Sequence, residues 1–96
     1  MNSKYELVVM VDAQKSPSEK EEVYRQTQEV ITKIGGRVLN SQVWLDRYKM
    51  SFSLKKRTEA TYYLINFESE GALLAKMRDL LRLNEEILRY LIIRID

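Results

Sequence analysis

The residues whose types and spacing suit chemistry are mostly cations. Arg47, Lys49, Lys55, Lys56 and Arg57 stand against Asp46 and Glu59, a local excess of positive charge that suits contact with anions. The same pattern also describes a solvated hairpin tip carrying ordinary surface lysines. Turnover chemistry has less to draw on. Histidine and cysteine are absent, which removes the commonest general base and metal ligand together with all thiolate and disulfide chemistry. Glu19, Glu21 and Glu22 crowd together, but in the first turns of a predicted helix, where the macrodipole favours carboxylates. No carboxylate pair is isolated in an apolar setting. Gly35-Gly36 follows a helix and precedes a strand, the reverse of the order in phosphate-cradling loops. No metal, cofactor or enzymatic activity is expected.

The whole chain sets the frame for those cations. Ninety-six residues, 45% hydrophobic and 31% charged, fit one globular domain over 1–96. A net charge of +2 is too small to argue for nucleic-acid binding alone. Its distribution says more: residues 12–29 carry five acids against three bases, so one acidic and one basic face are expected. No apolar run approaches the roughly 18 residues of a membrane span. The opening MNSKYELVVMVD reads as a strand and not as a signal peptide.

Hydrophobic periodicity supplies the elements. Over 4–12, Tyr5, Leu7, Val9 and Val11 alternate with Lys4, Glu6, Val8, Met10 and Asp12, and the charges mark the second set as the outer face. Ser16-Pro17-Ser18-Glu19 is a capped helix start with proline at the first turn. Val23, Thr27, Val30, Ile31 and Ile34 form the stripe of that helix, which Gly35 ends. A long second strand runs from Arg37 to near Leu54, with Met50, Phe52 and Leu54 alternating with polar residues. Its length predicts a bend or bulge near Leu45-Asp46-Arg47. The third strand covers 61–67, with Tyr63, Ile65 and Phe67 inward. A second helix covers 69–81, with Leu73, Met77, Leu80 and Leu81 as its stripe. After the turn Leu83-Asn84-Glu85-Glu86, the last strand covers 88–95. Arg94, taken as outward, turns Leu91, Ile93 and Ile95 inward. The expected core therefore includes Leu7, Val9, Val30, Ile65, Phe67, Met77 and Leu91. The order is that of an α+β, ferredoxin-like βαββαβ domain, with two helices on one face of a four-stranded antiparallel sheet.

Acylphosphatase-like enzymes share this topology but need an arginine loop after the first strand. Here that loop reads Ala13-Gln14-Lys15-Ser16. By parity the helix-free face shows Val8, Met10, Tyr62, Leu64, Tyr90 and Ile92, more apolar than a face meant for water alone. That pattern fits a partner surface, a homodimer face or a sparsely polar sheet. RNA-recognition domains of the same topology place a glycine-containing consensus on the third strand, which 60–67 lacks.

Several pieces in fixed order resemble the bacterial small ribosomal subunit protein six family. They are Tyr5-Glu6, Gly35-Gly36-Arg37-Val38, Trp44 with Arg47, Lys55-Lys56, Tyr62-Tyr63-Leu64-Ile65-Asn66-Phe67, and the run from Leu81 to Tyr90 with Arg94 beyond. The resemblance covers nearly the whole chain. It departs where Leu45 follows Trp44 in place of a glycine, and where Ser53 replaces a proline in Met50-Ser51-Phe52-Ser53-Leu54. It implies a ferredoxin-like structural constituent of the small ribosomal subunit, cytoplasmic or in an organellar ribosome. It further implies binding to central-domain 16S-type rRNA together with ribosomal protein eighteen. Family RNA contacts fall on Arg82, Arg89, Arg94, Lys55, Lys56 and Lys4. The partner surface would combine Val8, Leu64 and Ile92 of the helix-free face with Trp44 and Met50. The alternative is a ferredoxin-like regulatory or protein-interaction module that binds no RNA.

Overall fold

The computed structural model describes residues 2–54 and 57–95, and all of their side chains but those at 45–48, 50–54, 57 and 58. The elements are β1 (Asn2–Asp12), α1 (Pro17–Lys33), β2 (Arg37–Leu54), β3 (Arg57–Glu70), a 3-10 turn (Gly71–Leu73), α2 (Leu74–Arg82) and β4 (Ile87–Arg94). They form one antiparallel sheet in the order β2-β3-β1-β4, the expected ferredoxin-like arrangement.

β1 lies between β3 and β4, so both of its edges are paired. Leu7, Val9 and Val11 are fully buried on the helix side, and Val8 and Met10 are buried on the other. The second pair forms a small cluster with Ala60, against which Tyr62, Leu64 and Leu88 pack. The main core joins Tyr5, Leu7, Val9, Val11, Tyr63, Ile65, Phe67 and Ile87 of the sheet to Val23, Ile31, Met77 and Leu81 of the helices, with Val30 half-buried against it. Rings strengthen this layer: Tyr5 stacks on Phe67 at 5.4 Å and Tyr24 on Tyr63 at 4.5 Å.

The first helix starts where its sequence says. Ser16 Oγ accepts from the Glu19 amide at 3.2 Å, and the Glu19 carboxylate accepts from the Ser16 amide at 3.1 Å. These bonds, the backbone one foremost, hold the Glu19 carboxyl below the usual carboxylate range. Gly35 adopts φ +92°, and a Cβ on Gly36 would come within 3.0 Å of the Glu68 carbonyl. The glycine pair therefore closes a helix and lets the chain pass close beneath β3.

Several boundaries and one face differ from the expectation: β3 begins at Arg57, four residues before the expected start, and runs past its expected end. Ser69 and Glu70 continue β3, paired with Ser3 and Asn2, because β1 itself begins two residues before Lys4. The second helix accordingly starts only after the 3-10 turn. The inward face of β4 is the reverse of that expected. Leu7 lies across from Ile92 and Val9 across from Tyr90, and both Ile92 and Tyr90 pack on the main core. Leu91, Ile93 and Ile95, expected inside, are 41%, 47% and 48% exposed. Two physical reasons explain the inversion. Val11 pairs with Ile87 and Met10 with Arg89, so Leu88 is an extra residue that shifts the register. And Arg94 lies on the helix side, across from Tyr5, but at the exposed end of an edge strand, so its polarity carries no parity.

Candidate nucleic-acid interface

β4 is an edge strand of the sheet, and arginines gather on it and on the helix that leads into it. Arg82 is the last residue of α2, where the carbonyl end of a helix favours a cation. It is well exposed and lies 3.8 Å from Asp79, a surface pair of little energetic weight that can be exchanged for another anion. Arg89, also exposed, follows the Leu88 bulge in β4. Arg82 and Arg89 line one cleft of about 340 Å³, with Asn84, Glu85, Leu88 and Tyr90 among its walls. Two permanent guanidinium charges on one open cleft can take phosphate oxygens with forked hydrogen bonds.

The turn between them is built from polar bonds. Asn84 Nδ2 donates to Gln26 Oε1 of α1 at 2.8 Å, and Asn84 Oδ1 accepts from the Glu86 amide at 3.0 Å. The Glu86 carboxylate pairs with Lys15 of the β1–α1 loop. That hydrogen bond, opposed by desolvation, raises the Lys15 ammonium above its ordinary pKa. Nothing in residue type alone marked Asn84, since its partner is 58 positions away.

The other expected contacts are more dispersed. Lys4 and Arg94 are neighbours at the far end of the edge: the Ile95 amide donates to the Lys4 carbonyl at 3.0 Å. Arg94 lies five residue steps beyond Arg89 along the strand, about 17 Å. Lys4 shares the parity of Glu6 and Val8 and so lies on the helix-free side, opposite to Arg94. Lys55 and Lys56 lie outside the described residues.

The helix-free face carries a continuous apolar band. One cross-sheet rung runs Gln42, Leu64, Val8, Leu91 through all four strands. The β2 register slips between Val43 and Leu45, and again before Tyr48, a bulge at the expected place. Trp44 is the extra residue of the first slip; it is 50% exposed and stands edge-on to Tyr62 at 6.2 Å. Of the expected partner residues, Val8, Leu64 and Trp44 share this face. Ile92 does not: it faces the helices and belongs to the core periphery, a correction that follows from the β4 register. The Met50 side chain lies outside those described. Leu91 and Ile93 take the place that parity had assigned to Ile92.

A ferredoxin-like sheet with helices on one side, an apolar band on the other and arginines along one edge is a domain of the two-layer α+β class. Among the described residues, no group of three or more potential ligands converges as a metal site, and no helix is long and apolar enough to cross a membrane. The sequence pattern of the family described as ribosomal protein S6 matches residues 4–94. This chain belongs to that family of small-subunit ribosomal proteins. It is similar to small ribosomal subunit protein bS6 of Micrococcus luteus, 41% identical over 90 residues, covering 94% of this chain and 88% of the relative. The corresponding protein of Bartonella bacilliformis is 33% identical over 92 residues, covering 96% of this chain and 67% of the relative. The solved structure of 30S ribosomal protein S6 from Thermotoga maritima superposes with a TM-score of 0.89, covering 99% of this chain and 89% of that one at 22% identity. At that identity the likeness shows the fold.

Proposed function

We propose that this chain is a structural constituent of the small ribosomal subunit, one that binds central-domain 16S-type rRNA and pairs with ribosomal protein eighteen. The observation that carries it is the convergence of Arg82 and Arg89 on one cleft beside an apolar sheet face, in a member of the S6 family. Arg89 lies across from Met10, which lies across from Tyr62, so its rung is the next on the helix-free face after the Val8–Leu91 rung. On this reading the RNA edge and the protein face meet at Arg89, which suits a pair of proteins that bind RNA as a unit. The role is binding without turnover, carried out in the ribosome, with no cofactor or small-molecule substrate.

Arg82→Ala and Arg89→Ala test the RNA half. Each is expected to weaken binding to a central-domain rRNA fragment and to make the salt slope shallower by roughly 0.7–0.9 for each phosphate no longer neutralised. Both positions are exposed, so stability should change by no more than about 0.5 kcal/mol. Isotherms across a salt series read the effect. Unchanged affinity and slope in both variants would remove the cleft from the RNA site.

A further inference from the structure

We infer that Gln26 and Asn84 form a positioning pair that sets the spacing of Arg82 and Arg89 for RNA, an inference that rests on the RNA-binding role proposed above. The turn that joins the helix bearing Arg82 to the strand bearing Arg89 has little apolar anchorage of its own, since Leu83 is 76% exposed. Asn84 replaces that anchorage with hydrogen bonds from both its backbone and its side chain. Its amide donates to the Leu81 carbonyl at 3.1 Å, and its carbonyl accepts from the Ile87 amide at 3.2 Å. Its side chain accepts from the Glu86 amide and donates to Gln26. The backbone bonds join the end of α2 to the start of β4; the side-chain bonds close the turn and tie it to α1.

Asn84 stands between two clefts. On one side is a groove of about 560 Å³ shared by α1 and the α2–β4 turn, with Gln26, Val30 and Leu80 in its walls. On the other is the arginine cleft. Gln26 is absent from the walls of the arginine cleft, so it reaches the cations only through Asn84. Gln26 is itself held, because its Nε2 donates to Glu22 at 3.2 Å and Glu22 is paired with Arg25. A polar relay therefore runs from the outer face of α1 to the backbone between the two arginines. Only an amide of this length supplies both the acceptor that closes the local turn and the donor that reaches α1. Two long arginine side chains lose rotamer freedom on binding. Fixing the backbone from which both spring lowers the further cost of engaging two phosphates together.

Gln26→Met keeps the length and neutrality of the side chain and removes the acceptor. Its binding to the central-domain rRNA fragment is expected to weaken about 2- to 10-fold, the worth of one ordinary hydrogen bond, with a salt slope shallower by roughly the 0.7–0.9 of a single phosphate. In an Arg82→Ala background the same change should cost little more, because the two residues act through one phosphate. Equal loss from Gln26→Met in both backgrounds would overturn the inference. If Gln26→Met binds as wild type while Arg82→Ala and Arg89→Ala bind weakly, the positioning role fails and the RNA site stands. If the arginine variants also bind as wild type, the RNA site itself fails and the inference with it.

Discussion

Replacing Phe67 by alanine is expected to lower the stability of the fold by about 3–5 kcal/mol. The ring is fully buried in β3, stacked on Tyr5 at 5.4 Å. β1 and β2 flank it through the Tyr5 and Val38 pairings. A residue held by ladders on both sides cannot collapse into the space left by the ring, so both the transfer loss and the cavity contribute. Denaturant midpoints with an unchanged slope would report it. A loss below about 1 kcal/mol, the centre of ordinary substitutions, would place the ring outside the core. Leu91→Ala is the contrasting case. At 41% exposure it should cost far less than an interior truncation.

Leu91→Asp is expected to abolish pairing with ribosomal protein eighteen while leaving the domain folded. Leu91 ends a cross-sheet rung whose apolar part runs from Leu64 through Val8, with Gln42 at the other end. A carboxylate there stays hydrated in the free protein but must be desolvated without a partner in a dry contact. That penalty of several kcal/mol lowers affinity by roughly a hundredfold or more. The adjacent variant Ile92→Asp carries its charge to the opposite face, against the main core, and should unfold the domain. Circular dichroism together with a pairwise binding assay separates the two. Normal pairing by a folded Leu91→Asp would assign the partner to another surface. A folded Ile92→Asp would contradict the pairing of Leu7 with Ile92 that turns this side chain inward.

The legible part of this chain was the part governed by local signals. Ser16-Pro17-Ser18-Glu19 marked a helix start because a capping box is closed within four residues. The glycine pair marked its end because only glycine readily takes φ +92°. β1 was legible through its alternating charges, though burial of Val8 and Met10 required the neighbours on both sides. β4 was not legible. Tyr90, Leu91, Ile92 and Ile93 are apolar at every step, so no alternation separates the faces, and the Leu88 bulge that shifts the register lies in the pairing with β1. The site divides in the same way. Arg82 and Arg89 were named from family likeness, but their shared cleft depends on the turn between them. Asn84 had no local signature at all, because its significance lies in Gln26, 58 residues earlier.

The most direct test of the central claim is to express the tagged chain in its own cells and resolve the lysate on a sucrose gradient. The protein is expected to sediment with small subunits and with assembled ribosomes. The Arg82→Ala, Arg89→Ala double variant should be depleted from those fractions and recovered at the top. Recovery of the unmodified chain only in the free pool, with none on small subunits, would contradict its place in the ribosome.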